Sequence, residues 1–270
     1  MPELPEVETV VRQLSPHLQG KTLAGVRLFD DKLRHFPSRK LSGLAFERVQ
    51  RVGKLVVFGG PTPQGERFVG VHLRMTGRLL WHPAGMRAER RHLRARFSLR
   101  EGGAVLFYDA RRFGTLQLAT SWEELESTAL DPTSAAFAPQ RLGKLLAQGG
   151  GQSLKVWLMR QDRLVGLGNI YASEILFRAR LHPYRITHSL TRDEIVRLHQ
   201  STQEVLAAAI EACGTTFSDF QTAHGFTGSY QRYLQVYGRE GEPCLVCGCK
   251  IERVVQAQRS SFFCPGCQVA

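Results

Sequence analysis

The sequence has no long uninterrupted run of apolar residues. No stretch approaches the roughly 18 residues that a membrane-spanning helix needs. With 270 residues, of which 43% are hydrophobic, the chain can still bury a sizeable core, and a usual domain size of roughly 150 residues predicts about two domains. These features favour a globular, soluble protein and exclude a helical membrane protein.

Acidic residues are scarce relative to basic ones. The 24 Asp and Glu residues are outnumbered by 36 Lys and Arg residues, which leaves a net charge of +12. Such an excess favours a polyanionic partner, and nucleic acid is the leading candidate. An anionic membrane surface is the alternative, but the basic residues are scattered through mixed segments rather than gathered on one amphipathic helix. We therefore expect nucleic-acid binding and no membrane association.

The start of the chain, Met1-Pro2-Glu3-Leu4-Pro5-Glu6, lacks the basic and apolar regions of a secretory signal. We therefore expect a reducing, cytoplasmic setting. Such a compartment disfavours disulfide bonds, so the few cysteines of this chain need another explanation.

Four of the six cysteines form the pairs Cys244-x-x-Cys247 and Cys264-x-x-Cys267. Two such pairs at this separation predict a four-cysteine zinc site. Two disulfides are the alternative, but they suit secreted chains. Cys249 could compete as a ligand because it lies close to Cys247.

The N-terminal half has the pattern of a β protein that begins with a helix. Apolar residues from Val7 to Leu14 recur at helical spacing directly after Pro5. Short strand-like segments follow between about residues 22 and 118, separated by Gly and Pro, and no alternation of strands with helices suggests a doubly wound fold. The predicted strands are Leu55 to Phe58, Phe68 to Leu73, Arg94 to Leu99, Val105 to Tyr108 and Thr115 to Leu118.

A glycine-rich stretch from Gly143 to Gly151 predicts a flexible junction before a helical half. Short helices are expected over Leu154 to Met159 and Ile170 to Arg178. A longer helix should begin after Thr191, because Thr191 and Glu194 have capping-box spacing and an apolar stripe follows. The last 30 residues or so are too few to bury a core, so a metal should hold them folded.

The first residues of the chain can carry chemistry. Removal of Met1 would expose the secondary amine of Pro2, and an α-amino group has a pKa of about 8. Such an amine can attack C1′ of a sugar and form an iminium, as lysine does in Schiff-base enzymes. Glu3 and Glu6 could move protons beside it. A structural explanation is the alternative: Pro2 and Pro5 stiffen the entry to a helix whose dipole stabilises both carboxylates.

Two features could bind phosphate groups. The turn from Gly166 to Asn169 opens a predicted helix and would point backbone N–H groups at a phosphate. A group of basic side chains between predicted strands could neutralise phosphates and release counterions, and a solvated loop is its alternative. That group consists of Arg87, Arg90, Arg91, His92, Arg94 and Arg96.

The segment Pro2-Glu3-Leu4-Pro5-Glu6-Val7-Glu8-Thr9 resembles the N-terminal signature of the formamidopyrimidine-DNA glycosylase family. Further blocks resemble those of the family in the family's order, and together they cover the chain essentially from end to end. These blocks are residues 72–77, 109–114, 166–174 and 235–239 and the four-cysteine finger.

The resemblance implies an α+β multidomain protein: an N-terminal β-sandwich with an N-terminal helix, a helix-two-turns-helix domain and a C-terminal four-cysteine zinc finger. One zinc ion should be structural, because four thiolates leave no open coordination position. The predicted boundaries are 1–135 for the N-terminal catalytic β-sandwich domain, 136–152 for a linker, 153–233 for the helix-two-turns-helix DNA-binding domain and 234–270 for the zinc finger.

The resemblance also implies catalytic roles. Pro2 would be the nucleophile and Glu3 the acid in base release. Lys54 would donate a proton in β-elimination, and Arg259 would be its counterpart in δ-elimination. Without the resemblance, Lys54 would be taken for a surface lysine and Arg259 for an ordinary finger residue.

Phosphate contacts are implied for His72, Asn169 and Arg259, and further DNA contacts for His92 and Lys155. These five residues are distributed along most of the chain.

An enzyme that acts on a base must take the base out of the stack, which leaves a gap that apolar or planar side chains can fill. By resemblance we assign this role to Met75, Arg111 and Phe113. Burial in the core is the alternative for Met75 and Phe113.

We therefore expect a bacterial base-excision-repair enzyme that is monomeric, acts in the cytoplasm and binds double-stranded DNA containing oxidised bases or abasic sites. It should excise formamidopyrimidine and 8-oxoguanine through a Schiff base at Pro2 and cleave the strand by β,δ-elimination. An endonuclease VIII type that prefers oxidised pyrimidines is an alternative, although Leu4 and Val7 resemble the purine branch more closely. A noncatalytic zinc-ribbon DNA-binding protein is another. The segment from Thr215 to Tyr230 is expected to be either a mobile base-reading loop or an ordered connector.

Overall fold

A computed structural model describes residues 1–217 and 220–269. The chain forms two compact units: unit 1 comprises Met1–Glu126 and Ala212–Gln231, and unit 2 comprises Ser127–Glu211 and Arg232–Ala270. The chain therefore returns to unit 1 after most of unit 2 has been built. Within the described part of the chain, no helix combines the length and the apolar character needed to cross a membrane.

Unit 1 begins with helix α1 (Leu4–Leu18), as its apolar spacing predicts. Val7, Val10 and Leu14 have no exposed surface and form one buried face. Glu3 and Glu6 form a reciprocal capping box at the first turn, which satisfies backbone N–H groups that a helix start otherwise leaves without partners.

Two four-stranded sheets follow, and the pairings within both are antiparallel. One has the order β1-β6-β7-β5 and the other β2-β3-β4-β8. This arrangement confirms the N-terminal β-sandwich. The strands are β1 (Leu23–Leu28), β2 (Arg48–Val52), β3 (Leu55–Thr62), β4 (Gly65–His72), β5 (Gly77–His82), β6 (Leu93–Leu99), β7 (Ala104–Asp109) and β8 (Thr115–Ala119).

The core of unit 1 lies between α1 and the inner faces of the sheets. In β6, Ala95 and Phe97 are buried while the alternating polar residues are partly exposed. Phe97 packs edge-on against Phe58 at 5.3 Å between ring centroids. Burial of each such side chain stabilises the fold by about 1.5–3 kcal/mol.

The segment that follows the last helix of unit 2 packs on the sandwich. Phe220 and Ala223 belong to the core of unit 1. The backbone N–H of Trp81 donates to the carbonyl of Ala223 at 2.7 Å, so this segment covers strand β5 at the edge of its sheet. Ser218 and Asp219, within the predicted base-reading segment, lie outside the described residues.

Unit 2 contains helices α2 (Pro139–Ala147), α3 (Leu154–Leu158), α4 (Asn169–Arg178) and α5 (Arg192–Glu211). The predicted capping box is confirmed, because Thr191 N–H donates to Glu194 Oε2 at 2.8 Å and Glu194 N–H donates to Thr191 Oγ1 at 3.3 Å. The last three helices confirm the predicted helical half.

Helix α2 lies within the stretch that the sequence predicts as a linker. Gly143 is a helical residue, so its interpretation as part of a flexible junction is wrong. A Cβ atom at this position would lie 3.4 Å from Cδ1 of Ile195, an ordinary van der Waals distance, so Gly143 faces α5 across a packed contact between the two helices.

The finger contains a hairpin of strands β9 (Glu252–Gln256) and β10 (Arg259–Phe263). Its two turn residues, Ala257 and Gln258, have φ values of 46° and 61°. Positive φ at both central positions is typical of the primed turns that match the twist of a hairpin. The turn places Arg259 at the exposed start of β10.

A buried carboxylate connects α4 to the segment that leads into the finger. Glu174 is 2% exposed and accepts backbone N–H groups from Gln235, Val236 and Tyr237 at 2.8, 3.0 and 2.8 Å. Burial raises the pKa of Glu174, whereas these three donors act in the opposite direction. The carboxylate thus fixes a stretch of backbone that has no regular secondary structure.

We predict that Glu174→Gln destabilises the zinc-loaded protein by about 1–3 kcal/mol, because an amide has only one acceptor oxygen for three donors. Denaturant unfolding followed by circular dichroism measures this change. Glu204→Gln is the matched control: Glu204 forms an exposed ion pair with Arg178, and its loss should cost less than about 1 kcal/mol. Equal losses for the two variants would contradict the anchoring role of Glu174.

Candidate functional site

The N-terminus is held by the carboxylate of Glu6. Its Oε2 accepts the backbone N–H of Glu3 at 2.7 Å, and its Oε1 accepts that of Thr215 at 2.7 Å. Pro2 and Glu3 are both buried. At Gly214, a Cβ atom would lie 2.7 Å from Glu6 Oε1, so the absence of a side chain there allows this contact. Glu6 therefore joins the residues beside Pro2 to the segment that returns from unit 2.

Lys54 and His72 lie near each other in unit 1. Lys54 is 8% exposed and precedes β3, and His72 ends β4 and pairs in register with Leu55. The backbone N–H of Arg74 donates to His72 Nδ1 at 3.0 Å. Burial, followed by the positive charges of Arg74 and Lys54, lowers the pKa of His72 to about 4. A neutral His72 whose Nδ1 accepts a hydrogen bond carries its proton on Nε2, where it can donate to an anionic oxygen.

Asp109 organises two loops of unit 1. It is 1% exposed and accepts hydrogen bonds from the hydroxyl of Thr76, the backbone N–H of Arg111 and the backbone N–H of Gly114, the last at 2.7 Å. Thr76 lies in the loop between β4 and β5, and Arg111 lies in the loop between β7 and β8. One carboxylate therefore fixes the bases of both loops.

These two loops carry the side chains that the resemblance assigns to the DNA gap. Met75 is 41% exposed and Phe113 is 49% exposed, so core burial, the alternative for both residues, is wrong. The guanidinium of Arg111 lies over the ring of Phe113 at 4.8 Å from its centroid. Arg111 and Phe113 thus form a stacked cation–π pair at the surface of unit 1.

The backbone at the loops is constrained. Arg74 and Arg112 have φ values of 54° and 59°, a region that non-glycine residues seldom occupy. Arg112 is held by Asp30, with Nη2 donating to Oδ1 at 2.6 Å. This hydrogen bond is the main cause of the lowered pKa of Asp30. Ion pairing thus supports the unusual conformation of Arg112.

The predicted basic group between the strands divides into structural and exposed members. Arg94 donates from Nε to the carbonyl of Asp109 at 2.7 Å and lies 3.4 Å from a carboxylate oxygen of Asp30, so Arg94 has a structural role. His92 is half-buried, and its carbonyl accepts the backbone N–H of Asp109 at 2.9 Å. Arg87, Arg90 and Arg91 are exposed.

In unit 2, three of the predicted site residues lie around the finger hairpin. Asn169 Nδ2 donates to the carbonyl of Ser260 at 2.9 Å, directly after Arg259. Lys155 is 1% exposed, and its Nζ donates to Asn169 Oδ1 at 2.5 Å and to the Ser260 carbonyl at 3.3 Å. This burial argues against the direct DNA contact that the resemblance implies for Lys155. Its ammonium instead holds Asn169, at the N-terminus of α4, beside the start of β10.

The four predicted ligand cysteines converge. The sulfur atoms of Cys244, Cys247, Cys264 and Cys267 all lie within 4.8 Å of one another, which suits tetrahedral zinc with Zn–S bonds of about 2.3 Å. These four thiols could hold one structural zinc ion. Cys249 lies next to this group: a Cβ atom at Gly266 would be 2.7 Å from its sulfur.

Sequence reasoning missed the residues that support the site. Asp109 and Thr76 belong to blocks that it singled out, but no role was assigned to either. The hydrogen bond of Glu6 to Thr215 joins residues 209 positions apart, so no local pattern could have indicated it. The glycine at position 214 is the only local signal of the close contact there.

Three protein-family models match successive regions of the chain. "Formamidopyrimidine-DNA glycosylase N-terminal domain" matches residues 1–116, and "Formamidopyrimidine-DNA glycosylase H2TH domain" matches residues 128–221. "Zinc finger found in FPG and IleRS" matches residues 241–269. The last match, together with the four converging thiols, identifies a structural zinc site.

Individual relatives are similar to this chain over nearly its full length. A formamidopyrimidine-DNA glycosylase of Symbiobacterium thermophilum is 41% identical over 99% of this chain and 89% of its own length. The crystal structure of the MutM (Fpg) protein from Thermus thermophilus is 38% identical, with a TM-score of 0.86 over 99% of this chain and 98% of that chain.

A variant of the Lactococcus lactis Fpg, crystallised with DNA containing Fapy-dG, is 30% identical with a TM-score of 0.87 over the whole of both chains. Another structure of the Lactococcus lactis protein contains abasic-site DNA. The matched family regions, the relatives and the solved structures all indicate the same family along the entire chain. This chain therefore belongs to the formamidopyrimidine-DNA glycosylase family.

Proposed function

We propose that this protein is a base-excision-repair enzyme that removes oxidised purines, formamidopyrimidine and 8-oxoguanine among them, and then cleaves the DNA strand. The observation that carries the proposal is in unit 1, where Pro2 and the N-cap residue Glu3 directly precede helix α1, and where Met75, Arg111 and Phe113 are exposed. Family membership and the complexes of the Lactococcus lactis relative with Fapy-dG and abasic-site DNA support it.

The proposed reaction begins after removal of Met1. The lone pair of the Pro2 nitrogen attacks C1′, the bond from C1′ to the base breaks, and the base leaves with a proton that derives from Glu3. Opening of the sugar ring gives an iminium between Pro2 and C1′. Loss of a proton from C2′ then expels the 3′ phosphate, and a second elimination expels the 5′ phosphate. We assign proton transfer in these two steps to Lys54 and Arg259.

DNA would be held by groups that donate hydrogen bonds to phosphate oxygens. The neutral imidazole of His72 would donate from Nε2, and this contact should not change between pH 6 and pH 8 because the pKa of His72 is about 4. Asn169, His92 and Arg259 would provide further contacts. Lys155 would act by positioning Asn169.

Extraction of the base would leave a gap in the duplex for the exposed loop residues. Met75 and Phe113 offer apolar surface, and Arg111 offers a planar cation. Because Asp109 already fixes the bases of both loops, the side chains need little rearrangement before they enter DNA. We further propose that the protein acts as a monomer on cytoplasmic DNA.

The first prediction for the proposed reaction concerns the identity of the nucleophile. A glycine inserted before Pro2 converts the secondary amine into an amide, whose delocalised lone pair cannot attack C1′. Borohydride trapping with lesion DNA should fall to background, while DNA affinity in a gel-shift assay is largely kept. Pro2→Gly retains an N-terminal amine and serves as the control that keeps some trapping. Trapping at the wild-type level by the extended protein would instead show that another amine attacks C1′, either a lysine, with Lys54 the first candidate, or the α-amine of the inserted glycine.

The second prediction separates base release from strand cleavage. Glu3→Gln should slow excision of 8-oxoguanine by about 10²–10⁴-fold, because the amide cannot supply the proton. Cleavage of a preformed abasic site should change far less, since that substrate has already lost its base. Glu66→Gln, at an exposed position of β4, is the matched control and should leave both rates unchanged. Equal losses on the two substrates would refute this assignment.

The third prediction concerns the gap. Phe113→Ala and Met75→Ala should each slow lesion excision by about tenfold or more, because unstacking a base step costs a few kcal/mol that the inserted side chain offsets. Affinity for undamaged DNA should change little. Tyr184→Ala, which removes an equally exposed aromatic side chain of unit 2, is the control. Parallel losses in excision, affinity and melting temperature would show misfolding instead.

A further inference from the structure

The outer face of one sheet of unit 1 carries a groove that the proposed reaction does not use. The groove has a volume of about 470 Å³ and lies between β1, β6 and the loop that precedes β6. Arg27 and Arg96 are partners in the β1–β6 register. Of their neighbours, Phe97 belongs to the core and Val26 packs against it. The two arginines therefore project from the opposite face of the sheet. The principal lining residues are Arg27, Phe29, Met86, Arg87, Arg90 and Arg96.

The groove is partly apolar. Phe29 is 39% exposed and Met86 is 61% exposed, and both side chains line the same groove. Leu93, which is 5% exposed, also lines the groove. An exposed apolar group with a charged rim is typical of a surface that binds another molecule.

The rim carries several arginine side chains. Among the residues that the structure describes, none of Arg27, Arg87, Arg90 and Arg96 forms an ion pair with a carboxylate. Arg27 lies over the ring of Phe29 at 5.1 Å from its centroid, and Arg96 Nε donates to the hydroxyl of the neighbouring Ser98 at 3.1 Å. Arg94 and Arg112, by contrast, both pair with Asp30.

We propose that this groove binds an acidic peptide segment with an apolar or aromatic anchor, supplied by a partner protein. Carboxylates match the fork of each arginine, and the anchor would fill the space beside Phe29 and Met86. Arginine, methionine and aromatic residues are enriched at such interfaces. A duplex backbone supplies phosphates but no apolar group for the groove, which favours a peptide over DNA. The inference is independent of the proposed excision reaction.

Fluorescence anisotropy of the full-length, zinc-loaded protein tests this proposal with a labelled peptide, Asp-Asp-Glu-Leu-Phe. A peptide ending in Gly-Ser instead of Leu-Phe tests the anchor, and one with lysines in place of the acids tests the charge; both should bind at least about tenfold more weakly. Arg27→Glu and Met86→Asp should each weaken binding of the acidic peptide by about tenfold or more. Arg39→Glu, an exposed charge reversal outside the groove, should change it by less than about twofold.

Several results would overturn the proposal. Equal binding of the three peptides, or unchanged affinity in both groove variants, would show that the groove does not recognise this chemistry. Displacement of the peptide by undamaged DNA, with Arg27→Glu weakening DNA and peptide equally, would make the groove a nucleic-acid surface. Self-association in sedimentation experiments that Met86→Asp abolishes would make it an interface between copies of this chain. Melting temperatures within a few degrees of wild type establish that the variants are folded.

Discussion

The rest of the structure depends on one kind of interaction, in which a buried carboxylate accepts hydrogen bonds from backbone N–H groups. Glu6 connects the start of α1 to Thr215, Asp109 connects two loops of the sandwich, and Glu174 connects α4 to the segment before the finger. Burying a charge is costly unless hydrogen bonds satisfy it. Each of these carboxylates receives two or more such bonds, so each holds irregular backbone in one conformation.

The loops that need this support are those that project side chains into solvent. Exposed Met75 and Phe113 gain less from burial than core side chains do, and Arg74 and Arg112 occupy a backbone region that costs energy. The surrounding hydrogen bonds must compensate, and the network around Asp109 provides them. Loops held in this way lose less conformational entropy when they bind another molecule, so hydrogen bonds inside the sandwich determine how the exposed side chains are presented.

Charge in this protein has several uses. Part of the net charge of +12 is structural, since Arg94 and Arg112 neutralise the buried Asp30 and thereby steady the region around the β7–β8 loop. Another part, as at Arg27 and Arg96 on the outer face of the sheet, has no carboxylate partner among the residues that the structure describes. The net positive charge therefore indicates a polyanionic partner for the protein as a whole. Whether a particular arginine is structural or available for binding depends on whether it has a carboxylate partner.

Whatever depends on neighbours in the chain could be predicted from the sequence. The apolar spacing of α1, the capping box at Thr191, the alternation in β6 and the paired cysteines are local patterns, because helix, strand and ligand spacing involve residues a few positions apart. Tertiary structure alone decided the return of residues 212–231 to unit 1, the burial of Lys155 and the place of Gly143 inside a helix. These features depend on contacts between segments that are distant in the sequence. Such contacts contribute to stability only after both segments have been brought together by folding.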